Sequence, residues 1–157
     1  MHIEGSCHCG AVSYTVTAHE PVPFMRCHCS ICRKTAGTGG YAINLGADHR
    51  TLEVRGRHHL AIYHAKMPDG TRSPAERHFC KHCGTAMWLY DPRWPDLVHP
   101  HAGAVDTPLP APPQSTHAML AYKPDWVVVH AGPQDTSVQE LPDTSLADWH
   151  RQHGLSS

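Results

Sequence analysis

Seven of the 157 residues are cysteines, and they fall in three tight groups. Cys7 and Cys9 form a CxC pair; Cys27, Cys29 and Cys32 form a CxCxxC triplet; Cys80 and Cys83 form a CxxC pair followed by Gly84. Inert buried cysteines scattered by chance would not group in this way. A CxxC pair brings two sulfurs to one point through a tight turn, and a following glycine supplies the left-handed backbone that turns nearby amides toward them. A CxC pair in an extended segment puts both side chains on one face. Both arrangements suit two thiolates on one ion. Seven ligands do not fill two closed tetrahedral sites, which need eight. The natural division is four plus three. Cys7, Cys9, Cys80 and Cys83 are expected to hold a structural zinc, and Cys27, Cys29 and Cys32 a second zinc with one position open.

Three thiolates more than neutralise a zinc ion and leave it weak Lewis acidity. Sites that make hydroxide at neutral pH usually use neutral imidazoles instead. A sulfur-rich site is matched to a fourth sulfur, held as or near a thiolate. The chemistry that follows is formation or cleavage of a carbon–sulfur bond. Glutathione, the main cytosolic thiol, carries two carboxylates, and Arg26, Arg33 and Lys34 flank the triplet and could meet them, with ordinary solvated surface charge the equal alternative. Two other readings stand beside this one. A CxxC pair can be a redox couple, which needs a βαβ context that the sequence lacks. The triplet can also be closed by a histidine beside a cysteine (His28, His78 or His82) and be structural only.

The elements that must position these groups are short. Glycine and proline together make up 12 + 14 residues, roughly one in six, so long helices are not expected. Val12, Tyr14 and Val16 alternate with smaller or polar residues as a half-buried strand does. Further strands are expected at Tyr41–Leu45, Thr51–Val54, Leu60–Tyr63, Thr85–Tyr90, Ala118–Tyr122 and Trp126–His130. Many short strands separated by turn residues predict an all-β architecture. Helix is expected only as a turn after Cys32 and over Ser145–His153, where Ser145 and Asp148 resemble a capping box. Pro108–Pro113 reads as a stiff surface connection. One zinc-binding domain over residues 1–157 is expected, its core at about 3–132 and a C-terminal extension at 133–157.

The charge balance excludes some partners. Thirteen Lys and Arg stand against 14 Asp and Glu, a formal charge of −1. Such a chain has no general pull toward nucleic acid or anionic lipid. No apolar run approaches the roughly 20 residues that span a bilayer. The first residues lack the basic-then-apolar order of a secretory signal, so a cytoplasmic location is expected. The apolar fraction, 40%, is lean for this length, and a metal staple would offset that.

Sixteen histidines add no comparable spacing. Most are expected on the surface. His58 and His59 would point to opposite faces of a strand, and His99 and His101 would share a face that could take a metal. His117 is expected as a hydrogen-bonded core residue. Trp88, Trp94, Trp126 and Trp149 are expected as core or packing residues rather than stacking platforms.

The motifs GSCHCGAVSY, CHCSICRKTAG and HFCKHCG, with LEVRGRHHLAIY, HAGAVDTP and PQSTHAMLAYKPDW, resemble the glutathione-dependent formaldehyde-activating family, also called centromere-protein-V-like. The likeness covers most of Gly5 to Val129. It implies a β-tent of zinc-pinned antiparallel sheets. It implies a structural zinc on Cys7, Cys9, Cys80 and Cys83 and a substrate-side zinc on Cys27, Cys29 and Cys32. The implied activity is addition of glutathione to formaldehyde, of carbon–sulfur lyase class, with the triplet catalytic. The alternative, suggested by a chromatin-associated branch of the family, is a non-catalytic zinc module for macromolecules. The balanced charge speaks against nucleic acid as its partner.

Overall fold

The computed structural model describes residues 1–18 and 21–155. Its strands are β1 (His2–Ser6), β2 (Ser13–Thr17), β3 (Phe24–Cys27), β4 (Ala42–Asn44), β5 (Ala47–Arg55), β6 (Leu60–Tyr63), β7 (Glu76–Cys80), β8 (Ala86–Tyr90), β9 (Leu97–Pro100), β10 (Ser115–Ala118) and β11 (Thr136–Ser137). Two seven-residue helices accompany them, α1 (Ser30–Ala36) and α2 (Leu146–Gln152). The fold is all-β with minor helix, as expected.

A larger sheet runs β1-β2-β5-β9-β8-β7-β6, antiparallel throughout. In β1 and β2 every second residue is buried. That alternation turns Ile3, Tyr14 and Val16 to one face, where they join Val12, Met87, Trp88 and Val98 in the core. Tyr14 meets Trp88 edge to face, with ring centroids 5.3 Å apart. β1 and β7 lie five strands apart in this sheet, which would separate them by about 24 Å if it were flat. Yet Cys9 Sγ and Cys80 Sγ are 3.7 Å apart. The sheet therefore curls on itself around the core.

A second sheet runs β11-β10-β3-β4, with β3 parallel to β10 and antiparallel to β4. It joins the first where Asn44 bridges His101 and the Leu45 amide donates to the Pro100 carbonyl at 2.9 Å. α1 leaves the end of β3 with Cys29 at its N-cap.

Several expectations need correction. Ala118–Tyr122 is not a strand: β10 ends at Ala118, Met119 adopts φ +60°, and Leu120–Tyr122 form a 3-10 turn. Trp126–His130 is not a strand either. Only Val127 of its apolar residues is buried, packed over Gly40, while Trp126 and Val128 are exposed. His58 and His59 share a 3-10 turn that Gly56 opens at φ +77°, and their rings lie against each other, tilted by 45°, rather than pointing apart. Trp94 is exposed and Trp149 half-buried against His153, so of the four tryptophans only Trp88 is fully buried. Helix begins at Ser30, before Cys32 rather than after it. The C-terminal helix forms where expected, with Ser145 Oγ accepting from the Asp148 amide. Most described histidines are exposed or half-buried, as expected, while His28, His78, His101, His117 and His150 are buried.

His117 is the core residue expected. Its Nε2 lies 2.8 Å from Asp135, which also accepts from the amides of Ser115 and Gly132. These contacts, His117 first, hold the Asp135 carboxyl down to about 2. A carboxyl depressed in the folded state adds stability above its unfolded value and loses it as pH falls toward the folded one. Asp135→Asn should therefore lower the thermal midpoint at pH 7 by about 2–6 °C. Between about pH 4 and pH 2 the variant should lose less additional stability than the parent. Parallel acid limbs in scanning calorimetry would contradict this assignment.

Candidate functional site

The four-cysteine group is built from two glycine-closed turns. Between β1 and β2 the Cys7 carbonyl accepts from the Gly10 amide, and the Val12 amide donates to Cys7 Sγ at 3.3 Å. Between β7 and β8 the Cys80 carbonyl accepts from the Gly84 amide at 2.8 Å. Gly10 and Gly84 have φ of +80° and +76°, conformations that favour glycine. Thr85 ties the turns together, its hydroxyl accepting from the His8 amide and lying 3.2 Å from Cys83 Sγ. The Thr85 hydroxyl and amide hold the Cys83 thiol down to about 5. All four sulfurs lie within 4.8 Å of one another, a spacing that could hold a metal ion. Cys7 and Cys80 are buried, and Cys9 and Cys83 reach solvent.

The triplet sits where β3 passes into α1. Cys27 ends the strand, Cys29 caps the helix by accepting from the Cys32 amide at 3.2 Å, and Cys32 is buried in the first turn. Its three sulfurs also lie within 4.8 Å of one another. Cys27 and Cys29, hydrogen-bonding to Cys32, push its thiol strongly down, and Arg77 adds to this. Cys27 is driven up by the same neighbours. Thiolates held this close repel one another, and a divalent cation that displaces the thiol protons compensates their charge. The donor set fits a soft or borderline divalent ion such as zinc in both groups.

Three residues around Cys32 carry no spacing signal in the sequence. Arg77 of β7 donates to Cys32 Sγ at 3.6 Å and to Thr35 Oγ1 at 3.4 Å. Asn44 of β4 donates through Nδ2 to Cys32 Sγ at 3.8 Å, and its Oδ1 lies 2.9 Å from His101 Nδ1. Burial holds His101 down to about 4, so the ring is neutral at pH 7. With Oδ1 turned to His101, that ring must carry its proton on Nδ1 and donate it. The asparagine amide is thereby locked with its NH₂ toward the sulfur.

The histidines named as possible fourth ligands are engaged elsewhere. His28 Nδ1 faces the carbonyls of Arg26 and Ala118, His78 Nε2 faces Glu76, and His82 Nε2 faces His59. Among the described residues, no histidine, cysteine or carboxylate completes the triplet. His99 and His101 do not form a metal pair: His99 Nδ1 faces the Leu45 carbonyl and His101 faces Asn44. Of the flanking cations, Arg26 is spent on Tyr41 and Ser115, Lys34 is exposed, and the Nε atoms of Arg33 and Arg77 are buried without a partner.

A curled β structure carrying one four-thiol group and one three-thiol group defines a thiol-rich protein whose two groups could hold metal ions. The family model described as glutathione-dependent formaldehyde-activating enzyme matches residues 2–122, and the chain belongs to that family. It is 56% identical over 155 residues to a Halomonas elongata protein whose name carries the same description, covering 99% of this chain and 98% of that one. It is also similar to a crystal structure of a Rhodobacter sphaeroides protein, with TM-score 0.54 and 28% identity over 68% of this chain and 91% of the other.

The two groups should respond differently to substitution. Cys80→Ser opens the link between segments 71 residues apart. Releasing a loop of that length costs roughly 4 kcal/mol of closure entropy, a fall of about 8–16 °C in thermal midpoint. Cys29→Ser spans only the start of α1 and should shift the midpoint far less. Each variant should lose one metal equivalent by elemental analysis. Equal midpoints for the two would show that the four-cysteine group is not the staple.

Proposed function

We propose that the protein is a zinc-dependent enzyme of carbon–sulfur lyase type that joins glutathione to formaldehyde or a related small electrophile. With formaldehyde the product is S-(hydroxymethyl)glutathione. The thiol sulfur bonds to the carbonyl carbon and the thiol hydrogen ends on the carbonyl oxygen, so the addition is balanced without a redox partner. The single observation behind the reading is a three-sulfur group with no fourth side-chain ligand among the described residues, in a chain of this family.

Cys27, Cys29 and Cys32 are the reactive-site ligands in this reading, and Cys7, Cys9, Cys80 and Cys83 hold the structural ion. Zinc held by the triplet would supply the positive charge that favours the thiolate form of an incoming thiol. Everything else falls to the protein. Arg77 and the Asn44 amide donate to Cys32 and fix the sulfur that lies deepest. Their bonds draw charge from that sulfur and leave more of the metal's attraction for the incoming one. Arg33 and Arg77, both half-buried beside the triplet, offer guanidinium charge that a carboxylate of glutathione would meet. Proximity and thiolate stabilisation supply the acceleration. The described residues contain no helix long and apolar enough to cross a membrane, and the cytoplasm, rich in reduced glutathione, is the proposed location.

Cys29→Ala should abolish turnover while the fold and one zinc per chain survive. Full activity in that variant would remove the triplet from the reaction. Arg77→Gln should raise KM for glutathione roughly tenfold, the worth of one charged hydrogen bond. Calorimetry of the zinc-loaded protein with millimolar glutathione should release heat; its absence would overturn glutathione as the substrate and favour a non-catalytic zinc module.

A further inference from the structure

His59 and His82 come from distant points in the chain and meet on the surface beside the four-cysteine turns. His59 Nδ1 and His82 Nε2 are 2.7 Å apart; His82 is exposed and His59 half-buried. A third imidazole, His58, lies against His59 with ring centroids 3.8 Å apart. The pair is held on rigid backbone. His59 closes the 3-10 turn that Gly56 opens, its carbonyl accepts from the Lys81 amide at 2.9 Å, and the next residue, Leu60, pairs with Cys80.

Two ring nitrogens at this distance share one proton in a hydrogen bond, and a cation that takes the place of that proton is within reach of both lone pairs. Metal–nitrogen bonds of about 2.0 Å meeting at a right angle set the nitrogens about 2.8 Å apart, whereas a tetrahedral angle sets them about 3.3 Å apart. The observed spacing fits the right angle. Tetragonal sites of nitrogen and oxygen select Cu²⁺ and Ni²⁺. We propose that His59 and His82 form a third, surface metal site for a divalent cation of this class, with water in the remaining positions. Binding needs no redox step. The ring that donates in the free pair moves its proton to its other nitrogen, so both imidazoles stay neutral as ligands.

The site is distinct in kind from the cysteine groups. Its ligands are borderline nitrogens open to solvent, and its occupant is exchangeable rather than structural. Ni²⁺ is the better probe, because Cu²⁺ oxidises thiols. Protein already loaded with zinc should take up one Ni²⁺ with micromolar affinity in a calorimetric titration, with no zinc released by elemental analysis. His59→Gln and His82→Gln should each weaken that uptake at least tenfold and keep their zinc. His2→Gln, at another exposed histidine, should leave it unchanged. Uptake that persists in both pair variants would overturn the site. So would nickel entering only as zinc leaves, which would place it in the cysteine groups.

Discussion

The meeting of Cys7 and Cys9 with Cys80 and Cys83 is the constraint on which the rest of the molecule depends. Those residues lie at or just beyond the ends of β1 and β7, strands five places apart in a seven-stranded sheet. With their sulfurs within 4.8 Å of one another the sheet must curl, and the curl encloses the face that Tyr14, Met87 and Trp88 fill. In a chain with a lean apolar fraction, this closure does work that a larger core would otherwise have to do. The second sheet then docks where β4 and β9 approach each other, and that docking carries Asn44 and His101 to Cys32.

Electrostatics follow from the same closure. Arg77 lies on the strand that ends in Cys80, so the segment that builds the staple also supplies the cation nearest the triplet. The two thiol groups are therefore mechanically linked. A distortion of β7 reaches Cys32 through one guanidinium, and a change at Cys32 reaches the staple through the same strand.

The cysteine groups were legible because their signal is local: CxC and CxxC spacings act through the adjacent turn, whatever the rest of the chain does. The all-β class was legible from short alternating runs and frequent breakers. Arg77, Asn44 and His101 were not. Each is one polar residue in a short strand or turn, and only the curl of the sheet makes it a neighbour of Cys32. Trp126–His130 misled for the opposite reason. Its apolar residues satisfy a strand pattern, but one valine fills the space over Gly40 and no neighbour offers an edge for the others. His58–His59 misled because Gly56 starts a turn just before them, and two adjacent rings in a 3-10 turn can face each other as they cannot in a strand.

The distance along the chain between the two halves of the staple also sets a clock. Cys9 is made 71 residues before Cys80. At ordinary rates of synthesis that interval is roughly 4–14 s. Throughout it, the nascent chain carries one completed thiol pair with nothing to close against, and the triplet emerges whole in between. The three-sulfur group is thus complete before the four-sulfur group exists. During synthesis, the triplet is the first of the two groups that could meet a metal ion.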